Sequence, residues 1–370
     1  MSTATSQIRE ASLVERIADA VLYEGYILYP YRPSAVKNQQ RWNFGVLCPE
    51  SYAIAQRGTE SSTMLTEYLL EADSSTTIDV KVRFLHLMMR ELAEVIADDG
   101  SPIPDCKHVF THNGKHFVLV PSLEAGGNHL QTWQEAVERE VLVPQIRINE
   151  LNSPHLTSFE YPANRTIEEI QAASGNIALV LRTQQQLRGE IEISITKTNR
   201  QSRQVGIGNR QLVRLSITVR NLAIFEDAAT RTRDEALMQS LVSTHTILET
   251  QNGAFVSLLD PPEEYKQPAS DCKNTGTYPV LVGEDGDRHC VLSSPIILYD
   301  YPQIAPQSAG SLFDGTEIDE ILTLRIMSLT DDEKREMRNA DELARQLLER
   351  TESLLPEQLM NLHGVMTRKS

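Results

Sequence analysis

The sequence predicts an α+β protein: a strand-rich, largely antiparallel sheet body of sandwich-like build, followed by a short helical C-terminal segment. Three observations carry that expectation. EIEISITKT (190–198) and LVRLSITVR (212–220) alternate with period two, placing Ile191, Ile193 and Ile195, and then Val213, Leu215, Ile217 and Val219, on one face. That is the pattern of strands with one buried and one solvated face. KHVFTHNGKHFVLV carries Asn113-Gly114 between two strand-like runs, and Asn-Gly tolerates the positive φ angles of a two-residue hairpin turn. Beyond residue 310 the pattern turns helical: Thr330-Asp331-Asp332-Glu333 reads as a capping box, and Pro356 suits a first helical turn.

Taken in order, Leu13, Ile17, Val21 and Leu22 recur at helical spacing behind Ser12 as a candidate N-cap. Tyr23, Tyr26, Tyr29 and Tyr31 predict a strand ending at Pro33, and residues 41–49 a second short one closed by Pro49. In 79–88, Val80, Val82 and Phe84 share a face opposite Lys81 and Arg83. ELAEVIADDG (91–100) reads as a helical turn or two, broken by Gly100 and Pro102. The Asn-Gly turn sets His112 against Lys115, Thr111 against His116 and Phe110 against Phe117, so His112 and His116 fall on opposite faces and cannot chelate one ion. QTWQEAVERE (131–140) predicts a helix with Trp133, Ala136 and Val137 inward and a Glu135/Arg139 pair at i, i+4. VLVPQIRI and IALVLR (177–182) are extended. Residues 234–248 begin as a helix and drift into β-branched residues; 260–268 form a turn-rich connector. YPVLV and a strand ended by Pro302 flank a GEDGD turn. The body is expected over 13–310, divided near 78 or near 230 if it divides at all, with the helical segment over 311–370.

The chain has 370 residues, with 35 Lys+Arg against 51 Asp+Glu, a formal net charge of −16. Such a balance argues against nucleic acid and anionic membrane surfaces as partners, since both demand a surplus of positive charge. No run of 18 apolar residues predicts a membrane span, and the first twenty residues lack the features of a secretory signal. A cytoplasmic protein with reduced thiols is the expectation.

Cys48, Cys106, Cys272 and Cys290 form no C-x-x-C pair. Cys106 and His108 share a strand face, and with Cys272, His289 and Cys290 they are the candidate ligands of a zinc or iron site. The 199–210 loop carries Arg200, Arg203 and Arg210 around Gly206 and Gly208, a candidate anion cradle; no helix follows it, which rejects a dinucleotide fingerprint. Asp314, Glu317, Asp319 and Glu320 suit the positive end of a helix dipole and are candidate partner contacts. No nucleophile elbow, zincin motif, Walker loop or kinase signature is present, so no catalytic residue is assigned.

LYEGYILYPYRPSAVKNQQRWNFGV, TWQEAVERE and HCVLSSPIILYDYPQIAPQSAGSLFDGTEIDEILTLRIMSLTDDEKREMR together resemble an accessory protein family encoded beside high-affinity uptake nickel–iron hydrogenases. The resemblance implies a role in assembling or maturing a hydrogenase through contact with a hydrogenase subunit or maturation factor. It carries over no catalytic residue, and the paired C-x-x-C motifs of hydrogenase large subunits are not here. The sequence thus points to a non-catalytic accessory or scaffold protein acting by protein–protein contact, without a cofactor. A metal-dependent enzyme or metal carrier using the Cys/His set is the alternative.

Overall fold

The computed structural model describes residues 14–19, 21–22, 43–96, 108–126, 128–197, 210–303 and 330–338, together with 345, 348, 349 and 352. Helical residues at 14–19 and 21–22 (α1) and the helix Glu50–Ala55 (α2) precede the strands. In chain order these are β1 (Thr63–Ala72), β2 (Thr77–Val95), β3 (Val109–His112), β4 (Lys115–Val120), β5 (Ser122–Ala125), β6 (Asn128–Gln131), β7 (Trp133–Arg147) and β8 (His155–Tyr161). Then come β9 (Asn164–Gln171), β10 (Ile177–Gln184), β11 (Leu187–Lys197) and β12 (Gln211–Asn221). A short helix α3 (Arg233–Leu237) leads into β13 (Val242–Gln251), β14 (Ala254–Val256), β15 (Tyr278–Leu281) and β16 (Cys290–Ser294).

Five strands form one antiparallel sheet in the order β14-β1-β12-β11-β8; a nine-stranded sheet runs β15-β16-β13-β2-β10-β9, with β7 and β4 also on β2 and β3 on β4. β2 organises the second sheet. Along one edge its residues 77–85 pair with β13, and residues 89–94 pair with β10. Along the other, residues 77–90 pair with β7 and 92–95 with β4. On the first edge the ladder is therefore interrupted at His86–Met88.

The period-two faces settle as read. Val80, Val82 and Phe84 of β2 meet Tyr68 and Leu70 of β1, Ile191 and Ile193 of β11, and Ile217 and Val219 of β12 in a core shared by both sheets. The outer face of the nine-stranded sheet is covered by helices. Ile17 and Val21 of α1 pack on Ile247, Val280 and Leu292, and Arg83 and Lys81 reach out to Asp19 (2.7 Å) and Glu15 (3.4 Å). Further along, Leu85 and Leu87 meet Tyr52 of α2 and Leu237 of α3. The α3 N-terminus is a full capping box, Thr232 and Glu235 each bonding the other's backbone. Asn113 and Gly114 both take positive φ, and the β3–β4 register is the one expected, His112 opposite Lys115.

Several expectations are corrected. Residues 131–140 form no helix: Gln131 ends β6 and residues 133–140 enter β7, because β2 offers an edge over residues 77–90 and cross-strand partners outweigh the helix preference of Gln, Glu and Ala. Pro144 is tolerated there beside a bulge, where the register shifts opposite Ile78–Val80 and Asp79 accepts a hydrogen bond from the Gln145 N–H. ELAEV likewise continues β2, held between β10 and β4. Residues 43–49 form no strand and make only two isolated bridges, both at Leu47, to Leu241 and Ser61, before α2. Residues 263–270 of the connector form helical turns, and β16 ends at Ser294, before Pro295 and not at Pro302. β1 was not foreseen at all. Of the C-terminal segment, Asp331–Arg338 is helical as expected. The tyrosine-rich strand at 23–33, the helices expected around 316–328 and 356–366, and the Cys106 region lie outside the described residues. No helix among the described residues is long and apolar enough to cross a membrane.

Gly189 has a specific task. It lies opposite Phe159 in the β11–β8 ladder, and a Cβ built on it would sit 2.2 Å from the Phe159 ring. Phe159 in turn rests on Phe84 at 5.7 Å. Gly189→Ala should therefore lower stability by about 1–3 kcal/mol through overpacking. Urea unfolding measures this; a change within 0.5 kcal/mol, the size of an ordinary surface substitution, would show that the ring is not confined.

Candidate functional site

Of the residues singled out from sequence, Cys272 stands apart from Cys290, and His108 from both. Cys106, Arg200, Arg203, Asp314, Glu317, Asp319 and Glu320 lie outside the described residues. His108 is exposed at the start of the β3 hairpin. Cys272 packs beside Leu69, Val256 and Ala269, whereas Cys290 packs against α1 with Ile247 and Leu292. Burial pushes the Cys272 thiol up to about 12 and the Cys290 thiol well above its ordinary value. Burial favours the neutral thiol at both. Among the described residues no three His, Cys, Asp or Glu side chains gather as a metal-binding group.

Arg210, His289 and Cys290 do share one open cleft of about 1150 Å³, between the 249–254 turn and the 284–290 loop. Its lining is predominantly acidic, with Asp79, Glu249, Glu284, Asp285 and Asp287. Its cations face carboxylates of their own: Arg288 pairs with Glu71 at 3.0 Å, and Arg210 lies 3.8 Å from Asp73.

A different place holds polar groups that lack partners. The chain steps from the five-stranded to the nine-stranded sheet between β8 and β9, and back again between β10 and β11, so two crossings meet at one corner. That corner faces the interruption in the β2 ladder. His86 continues the inner face of Phe84 and is fully buried, 6.3 Å from the Tyr161 ring. Arg139 of β7 lays its guanidinium over the same ring at 4.5 Å and donates to Gln184 Oε1 at 3.0 Å. The remaining polar atoms are unmatched: Arg139 Nε and Gln184 Nε2, both donors, and the two ring nitrogens of His86, one a donor and one an acceptor in the neutral imidazole, are buried with no hydrogen-bond partner of good geometry. The Gln185 backbone lies near enough to His86 to favour its charged form slightly, but burial and the Arg139 charge prevail and hold the imidazole down at about 4. A buried donor left unmade costs about 1–3 kcal/mol, so this grouping is expensive as it stands.

One residue beyond Gln184, Gln185 lines a groove of about 380 Å³ floored by Phe225 and Met238 and walled by Arg231 and Glu235. The 222–226 segment is pinned to α2: Ser51 donates to the Phe225 carbonyl at 2.8 Å, and Tyr52 meets the Phe225 ring edge-on at 5.9 Å. Flanking that pin, Ile54 and Ile224 are 71% and 72% exposed, and Leu222 is also exposed.

No protein-family model matches the chain, and no curated protein is similar to it in sequence. His86 was legible as a polar interruption of an apolar face, two residues after Phe84. Arg139 was not, because its stretch reads as helix, and the groove is assembled from three separated segments.

Proposed function

We propose that this protein is a non-catalytic accessory or scaffold protein that works by protein–protein contact, through the groove lined by Gln185, residues 224–226 and the α3 region, and the neighbouring α2 surface pinned to that segment. The observation that carries this reading is the pair Ile54 and Ile224, exposed on either side of a rigid hydrogen-bonded pin. Large apolar side chains held rigidly beside a groove with a polar rim are what a partner protein buries. The body suits a scaffold: we read it as sandwich-like, with two sheets about one core. Polar side chains on the outer face of the five-stranded sheet are engaged in cross-strand ion pairs such as Arg220 with Glu190 and Glu192. From the resemblance, the partner is a subunit or maturation factor of a nickel–iron hydrogenase.

The test is affinity capture by the tagged full chain in cells expressing a nickel–iron hydrogenase with its maturation factors. The wild type should retain one of those proteins, and the Ile54→Glu, Ile224→Glu double variant should bind it roughly tenfold more weakly or worse, because two apolar contacts become charges. Equal retention would remove the groove from the reading; capture of no hydrogenase-related protein would remove the hydrogenase assignment.

A further inference from the structure

We propose that the corner between the two sheets is a binding site for a small oxyanion, a carboxylate or phosphate group, held by the Arg139 guanidinium, the Gln184 amide and the His86 imidazole. The charge pattern of that sheet face comes first. Arg90, Arg139 and Arg182 stand on it with Glu135 and Glu168. Glu135 bridges Arg90 and Arg182 at 2.9 Å each, and Glu168 takes Arg182 at 3.0 Å. Both carboxylates are thus engaged by the other two arginines, and among the described residues Arg139 has no carboxylate within ion-pair distance.

The unmatched atoms come second. The one side-chain acceptor of Arg139 is the neutral Gln184 Oε1, which turns the Gln184 amide nitrogen away as a free donor. Arg139 Nε and Gln184 Nε2 are buried donors joined through the Arg139–Gln184 hydrogen bond, and the His86 imidazole lies on the same Tyr161 ring that Arg139 covers, its N–H turned toward the Gln185 backbone. An oxyanion accepts several hydrogen bonds at once and cancels the guanidinium charge, whereas a water molecule supplies only the former. Apolar walls strengthen such contacts: Phe84, Phe159 and Tyr161 exclude solvent from one side. Gln185, the next residue after Gln184, lines the neighbouring groove. This proposal stands independently of any protein partner.

The experiment is an NMR titration of the full chain with labelled histidine, adding sodium acetate or inorganic phosphate against a sodium chloride control of equal ionic strength. The His86 imidazole signal, assigned by its loss in His86→Gln, should move saturably with one of the two anions while the buried His245 signal stays fixed. Response to acetate alone or phosphate alone identifies the oxyanion. Arg139→Met should weaken binding roughly tenfold or more, the loss of a hydrogen bond from a charged donor, and Arg139→Lys should weaken it less. If Arg139→Met does not fold, Gln184→Leu provides the comparison. A His86 signal unmoved by both anions in the wild type would overturn the proposal, as would unaltered affinity in the folded variant.

Discussion

Acidification from pH 7.5 to 4 is expected to destabilise the fold by about 3 kcal/mol for each of two buried histidines. His86 and His245 are both fully buried, and burial lowers each imidazole from 6.5 to about 4, with Arg139 and Arg83 respectively adding to the effect. A folded-state pKa below the unfolded one means that the unfolded chain takes up protons first as pH falls. The stabilisation is complete above about 6.5, declines through the interval down to about 4, and is exhausted below it. His245 owes its setting to a bulge. The β13–β2 register shifts between Val242 and His245, Ser243 takes φ +54°, and Nδ1 donates to the Ser243 carbonyl at 3.0 Å, leaving Nε2 as a buried acceptor without a partner. His245→Asn keeps the donor to that carbonyl and removes the titration. Urea unfolding at pH 7.5, 6 and 4 should show the variant losing about half of the wild-type pH dependence. Equal slopes in the two proteins would mean that His245 is not held neutral by burial.

Phe84→Ala should lower stability by about 3–5 kcal/mol at neutral pH, the cost of deleting a large ring from a filled interior. Phe84 is fully buried on β2, tilted against Phe159 at 5.7 Å and edge-on to Tyr161 at 6.0 Å. Phe159 and Tyr161 belong to the five-stranded sheet, so this trio is a direct tie between sheets. Phe84→Leu retains much of the volume and should cost markedly less. A loss below 1 kcal/mol in the alanine variant, short of even one large-to-small core deletion, would show that the rings do not share a packed core.

The strands whose two faces see different solvents were legible, and so was the hairpin whose turn has its own chemistry. Ile191, Ile193, Val213, Leu215 and Ile217 are buried as their alternation requires, and Asn113-Gly114 sets the register of β3 and β4. The β7 segment was illegible for a definite reason. Its Glu and Arg residues at i, i+4 spacing serve a helix as well as a strand, and here each finds a partner elsewhere: Glu135 on Arg90 and Arg182, Glu138 on Arg83, Arg139 on Tyr161.

By itself, then, the sequence determined an acidic, strand-rich chain with antiparallel pairing, because hydrophobic period and turn chemistry are local properties. The tertiary structure alone decided where β2 exchanges β13 for β10 along one edge. That exchange leaves His86 facing Arg139 and Gln184, residues 53 and 98 positions away in the chain. Their unmatched donors, and the groove beside them, follow from which distant strands turn the same corner, and no local pattern encodes that.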